Sequence, residues 1–148
     1  MPSWTWSSLD DLDARTLYAA LQLRSQIFVV EQTCVYLDLD GQDERAMHLL
    51  GHDDGRLVAY LRAFGPDGSG AAAIGRVVVS AHVRGRGLGR HLMREGMDRV
   101  QATWGPVPVA ISAQAHLRDF YEGLGYRVIG PGYHEDGIPH LPMRCDEP

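Results

Sequence analysis

Val83-Arg84-Gly85-Arg86-Gly87-Leu88-Gly89-Arg90, VRGRGLGR, sets three glycines among three arginines. It lies between an apolar run, IGRVVV (Ile74–Val79), and a segment of helical periodicity. A glycine-rich turn from strand to helix brings backbone N–H groups close to an anion, and the helix N-terminus adds about half a positive charge. Three phosphate-binding devices compete for this stretch. A Walker A loop needs G-x-x-x-x-G-K-[ST], and the chain contains no lysine. A dinucleotide fingerprint needs G-x-G-x-x-G after a first strand, whereas the spacing here is G-x-G-x-G after the fourth or fifth. The third, R-x-x-G-x-G opening a helix, fits Arg84–Gly89 in full. A tight turn with incidental arginines is the bland alternative, and such a turn does not need this density of arginine.

The 148 residues suit a single domain, 1–148, with one core. Hydrophobic residues make up 45% and charged residues 22%, as in ordinary globular proteins. A net charge of −5 argues against nucleic-acid binding, and no apolar run is long enough to span a membrane. MPSWTWSSLDDLDA lacks a basic flank followed by an apolar core, so no signal peptide is expected and the location expected is cytoplasmic. Cys34 and Cys145 fit a reducing compartment as thiols. All 14 basic residues are arginines, which excludes a lysine base or Schiff base and leaves planar guanidinium forks for anions.

Periodicity gives the order β-α-β-β-β-α-β-α-β-β, an α/β domain with a mixed sheet. A strand at Ser3–Trp6 precedes a helix that starts near the N-cap candidates Asp10, Asp11 and Asp13 and ends near Val30 or Glu31. EQTCVYLDLDGQDE then reads as an irregular acidic segment. His48–Gly51 and Arg56–Phe64 flank the hairpin signal Asp53-Asp54-Gly55. Ala73–Ser80 is a buried strand. Leu88, Leu92, Met93, Gly96, Met97 and Val100 share one helix face. Val107–Ser112 is a strand, Ala115–Leu124 a helix, and Tyr126–Ile129 and His140–Arg144 are strands around the loop GPGYHEDGIP. The last of these, HLPM, is an edge open to pairing in a homodimer.

RVVVSAHVRGRGLGRHLM and HLRDFYEGLGY together resemble the strand-loop-helix core and second cofactor segment of the GNAT superfamily of acetyl-CoA-dependent N-acetyltransferases. That likeness covers about residues 55–130. FVVEQTCVYLDLDGQDERAMHLL, AQAHLRDFY and YHEDGIPHLPM resemble its ElaA-like branch over nearly the whole chain. The resemblance implies a GNAT-like acyl-CoA N-acyltransferase fold, with a mixed central sheet flanked by helices. It implies acetyl-CoA as co-substrate and a small-molecule or peptide amine as acceptor. Arg84, Gly85, Arg86, Gly87, Leu88, Gly89 and Arg90 would hold the CoA diphosphate. Val77, Val78 and Val79 would pair through their backbone with the pantetheine arm, and a backbone N–H would polarise the thioester carbonyl. Gln114, where the wider family often has Asn, would make a polar contact beside it.

The resemblance puts Tyr121 near the CoA sulfur as general acid, because a phenol of pKa about 10 suits a thiolate leaving group. A packing role beside Phe120 is the alternative. The proton acceptor is sought among Glu31, Glu135, His134 and His48, with Glu31 favoured and Glu135 next. Asp38, Asp40 and Asp43 form either an acidic mouth that draws a cationic amine or a solvated loop. They lack the glycine and terminal glutamate of a calcium loop. The histidines show no metal-ligand spacing, so no metal is expected. Neither cysteine adjoins a base in sequence, so direct attack is expected. A non-catalytic acyl-CoA-binding sensor or interaction domain is the competing reading.

Overall fold

Alternating side chains lay down a mixed sheet with a helix packed on each face. The computed structural model of the chain describes residues 2–147. The strands are β1 (Ser3–Ser8), β2 (Met47–Asp53), β3 (Arg56–Phe64), β4 (Ala72–Val79), β5 (Val109–Gln114), β6 (Arg127–Val128), β7 (Tyr133–Glu135) and β8 (Ile138–Cys145). Their order is β1-β2-β3-β4-β5-β8-β6, with β7 also on β8. The β4–β5 pair is parallel and all others are antiparallel.

The period of two decides which face each β3 residue serves. Leu61 joins the large core, where Leu88, Leu92, Met93, Met97 and Val100 of α2 (Leu88–Trp104) pack against Leu49, Ile74, Val109 and Ile111. Tyr60 turns to the opposite face and packs with Ala20 and Leu23 of α1 (Ala14–Arg24), Ile27, Leu50 and Val78. Each fully buried Leu or Met of α2 contributes about 1.5–3 kcal/mol. Of the three N-cap candidates, Asp13 caps α1, its carboxylate accepting from Thr16 N–H at 2.7 Å.

The structure departs from the sequence reading in four places. The first helix does not stay α-helical to Glu31. From Ser25 to Glu31 its turns widen to i→i+5 bonds, as in Gln32 N–H to Ile27 O (3.1 Å). Ala115–Leu124 is shorter than a full helix: a 3₁₀ turn, then α3 (Arg118–Glu122). The loop GPGYHEDGIP contains β7, joined to β8 through Asp136 and Gly137 at φ 50° and 78°. Asp-Gly suits such a two-residue turn; the polar flanks Tyr-His-Glu hide it from a hydrophobic pattern. Finally, HLPM is not an edge. β8 bonds to β5 along its length on one side and to β6 and β7 on the other, which closes that route to a dimer. Among the described residues no helix is long and apolar enough to cross a membrane.

Candidate active site

β4 and β5 touch at only two positions, Ala72↔Val109 and Ala73↔Ala110. Beyond them the strands part, and Ile74–Val79 and Ile111–Gln114 line a cavity of about 1260 Å³. That exceeds the roughly 300–1,000 Å³ of ordinary small-molecule sites and gives room for a long cofactor and a second substrate. A bulge sharpens the opening. Tyr60 pairs Val78 but Arg62 pairs Gly75, so Arg76 and Val77 oppose Leu61 alone. Arg76 accordingly takes φ 51°, unusual for a side chain of its size. Val77 and Val79 lean on the large core, while Val78 is buried beneath α1. Their side chains therefore build walls, and only their backbone can face a ligand as an added strand.

The turn at 84–89 closes one end of this opening. Gly85 and Gly87 sit at φ 82° and 72°, where a side chain would be strained. Gly87 is the N-cap of α2 and brings no side-chain bond, so the first N–H groups of α2 remain open to an anion. Arg86 and Arg90 are exposed and have no carboxylate partner among the described residues. Arg84 does have one: its Nη1 and Nη2 donate to Glu31 Oε1 (2.8 Å) and Oε2 (2.7 Å). The guanidinium holds the Glu31 carboxyl below the usual carboxylate range. Glu31 therefore lines the cavity, but as a weaker proton acceptor than an unpaired carboxylate.

Tyr121 enters the cavity wall from α3, largely buried, with its ring edge-on to Phe120 (5.0 Å) and Tyr126 (5.9 Å). Burial pushes its hydroxyl up to about 12, so it carries its proton throughout the neutral range. Gln114, at the end of β5, donates from Nε2 to Gln32 Oε1 (3.2 Å) and so ties the strand to the end of the first helix. Cys34 also lines the cavity, and its thiol donates to the Asp136 carbonyl (3.3 Å) rather than to a base.

The acidic segment is neither a free acidic mouth nor a solvated loop. Arg24, 1% exposed, donates from Nε to Asp38 Oδ2 (2.9 Å) and from Nη1 to Asp43 Oδ1 (2.8 Å). Arg62 donates to Asp40 Oδ2 (2.6 Å) and Asp43 Oδ1 (3.0 Å), and Arg76 donates to Asp38 Oδ1 (2.8 Å). Arg62 holds Asp40 far below the ordinary carboxylate range, and Arg24 and Arg62 hold Asp43 low against its own burial. His48 belongs to this cluster, not to the cavity. It donates from Nε2 to the Asp43 carbonyl (3.0 Å) and accepts from Tyr60 at Nδ1 (2.6 Å), and burial keeps it neutral. Three arginines thus pin the loop, and the charge expected to draw an amine is already paired.

Residues missed by sequence reasoning complete the opposite wall. His140 on β8 is buried, and its Nδ1 donates to the Ile138 carbonyl (2.7 Å). Its Nε2 faces Glu135 Oε2 at 3.3 Å, a contact that is attractive when a proton lies between them. Ser112 on β5 bonds to the Tyr133 hydroxyl and reaches Glu135 Oε2 (3.5 Å). Tyr133 also stacks on His140 at 6.1 Å. Glu135, half exposed, therefore lines the cavity beside His140. His134, its neighbour on β7, is exposed and does not line it. The signal for this group was the Asp-Gly turn, which folds β7 back onto β8. No group of three or more metal-ligating side chains is found among the described residues.

Comparison with known proteins identifies this arrangement. A model of the acetyltransferase (GNAT) domain matches residues 23–147. ElaA of Escherichia coli K12 is 42% identical over 93% of this chain and 94% of its own. The crystal structure of an acyl-CoA N-acyltransferase from Pseudomonas aeruginosa superposes with a TM-score of 0.93 at 43% identity, covering 98% of this chain and 99% of that one. The E. coli ElaA crystal structure gives 0.91 at 40% identity over the same shares. The chain belongs to the GNAT acetyltransferase family, on its ElaA-like branch, and has that family's acyl-CoA-dependent acyltransferase fold.

Proposed function

We propose that the chain is an N-acetyltransferase that moves the acetyl group of acetyl-CoA directly to an amine, on a small molecule or a peptide. The observation that carries this reading is the parting of β4 from β5, with an arginine- and glycine-rich turn at one end of the opening and Tyr121 on its wall. The diphosphate rests on the N–H groups at Gly85–Gly89 with Arg86 and Arg90. The pantetheine arm lies along the free edge of Val77–Val79, where a backbone N–H beside the bulge polarises the carbonyl.

The amine nitrogen attacks the thioester carbon, the C–S bond breaks, and the sulfur leaves as thiolate. Tyr121 donates a hydrogen bond to the developing thiolate, and its proton follows. The proton lost by the amine goes to a carboxylate. Glu31, favoured on sequence, is the weaker base while Arg84 holds it; Glu135 is the better placed, because no arginine occupies it and His140 Nε2 lies 3.3 Å from its Oε2. Cys34 lines the cavity without a basic partner, which favours direct transfer over a cysteine-bound intermediate.

The test is release of free thiol from acetyl-CoA over a panel of primary amines. Turnover with an acceptor is expected. CoA binding with no turnover on any amine would instead favour a sensor or interaction domain.

A further inference from the structure

Glu31 and Arg84 stand 53 residues apart in sequence, yet each uses both of its terminal atoms on the other. Both are about two-fifths exposed and both line the cavity. Arg84 opens the R-x-x-G-x-G turn, and its Nε donates to the Val79 carbonyl (3.3 Å), which fixes the guanidinium at the end of β4. Glu31 ends the widened segment of the first helix, on the side where the pinned acidic loop begins. A guanidinium fork takes a phosphate in the same two-pronged manner as a carboxylate, and cannot take both that way at once. An incoming diphosphate carries more charge than Glu31 and competes for the same fork.

The other cavity carboxylates that have an ionisable partner differ in this respect. Asp40 is fixed by Arg62, on β3, and Glu135 contacts His140. Of these three, Glu31 is the one whose partner belongs to the phosphate turn.

We propose that Glu31 is the acceptor-recognition carboxylate and that the cofactor switches it on: the CoA diphosphate takes Arg84, and the released Glu31 binds the ammonium of a cationic acceptor. This rests on the reading of the turn at 84–89 as the diphosphate site. In the empty enzyme the carboxylate is neutralised by Arg84, so a cationic acceptor has no unpaired anion to meet there. In the loaded enzyme it has one, beside the thioester. Acceptor affinity is thereby made conditional on cofactor, and the preferred acceptor is a protonated alkylamine rather than an uncharged arylamine. Glu31 holds the ammonium until Glu135 takes one proton and leaves the neutral amine to attack; the second proton, lost as the amide forms, replaces the one Tyr121 gives to the thiolate.

The experiment is calorimetric titration of CoA into the wild-type protein and into Glu31→Gln and Glu31→Asp at low salt. Removing a competitor for Arg84 tightens CoA binding roughly two- to fivefold, the size expected for a partly exposed ion pair. Glu31→Asp, too short to keep both contacts, tightens it as well. In steady state, Glu31→Gln raises KM for an alkylamine and leaves KM for an arylamine unchanged. Unchanged or weakened CoA binding in both variants overturns the exchange, as does an equal rise in KM for both amines. Failure of the wild-type protein to bind CoA at all would instead sink the acyl-transfer reading on which the exchange rests.

Discussion

One wall of the cavity, from Ile74 to Arg90, comes from an unbroken run of sequence; another is assembled from residues between 27 and 40, 112 and 135–140, and is tied by the buried cluster of Arg24, Asp38, Asp43 and Arg62. The first is made of backbone: glycines at positive φ, a bulge and an open helix end. The second is made of side chains that meet across long separations, such as Arg24 with Asp43 and Ser112 with Glu135. A backbone site tolerates many side-chain changes. A site held by paired charges fails when one member is lost, because the remaining charge is left buried and alone.

The largest effect should therefore come from the assembled wall. Arg24→Ala leaves Asp38 to Arg76 and Asp43 to Arg62, each one cation short in a buried cluster, and is expected to cost about 3 kcal/mol, read by urea unfolding. Arg86→Ala, an arginine of the contiguous wall, should change stability by less than about 0.5 kcal/mol. Equal losses in the two variants would erase the contrast.

Acidification dismantles the same cluster by degrees. Asp40 and Asp43 hold fewer protons folded than unfolded, so their contribution is complete above the ordinary carboxylate range of about 4 and fades as pH falls below it. His48, kept neutral by burial, acts in the same direction and begins to weaken the fold below about pH 6.5. Stability followed against pH should show both steps in the wild-type protein. Replacing His48 should remove only the step that begins near pH 6.5.

Tyr121→Phe probes the shared centre. It should lower kcat about a hundredfold, the range of a lost proton donor, with little change in CoA affinity. A variant with full kcat would show the tyrosine to be a packing residue beside Phe120. Gly87→Ala, which forces a side chain to φ 72°, is expected to cost roughly 1 kcal/mol of stability and to weaken CoA binding by up to about tenfold.

The same contrast governs what could be read in advance. The contiguous wall was legible because its determinants are neighbours in sequence: an apolar strand, R-x-x-G-x-G and a helix with one apolar face. The assembled wall was not. Asp38, Asp40 and Asp43 looked like free charge because their partners, Arg24, Arg62 and Arg76, lie on α1, β3 and β4, and only the fold brings them together. His140 read only as the first residue of a late strand, and it is Asp136-Gly137 that folds Glu135 against it. Glu31 lines the cavity, but its partner is an arginine that the motif had assigned to phosphate alone.

The widened turns at Ser25–Glu31 bear on how this molecule can be altered. A helix that completes part of its length with i→i+5 bonds carries one residue more than its α-helical equivalent. Arg24 and Glu31 lie at the two ends of that stretch, one serving the buried charge cluster and the other the glycine-rich turn. The wide turns absorb the extra residue, so an α-helical segment one residue shorter would present Glu31 on nearly the same side. Tightening the turns at unchanged length is the alteration that matters: each α-helical residue turns the chain by about 100°, so one residue left unabsorbed would swing Glu31 by about that much relative to Arg24. The charge cluster would survive while the link to Arg84 broke. A change of helix geometry, with no chemical group removed from either site, would thus uncouple the two walls.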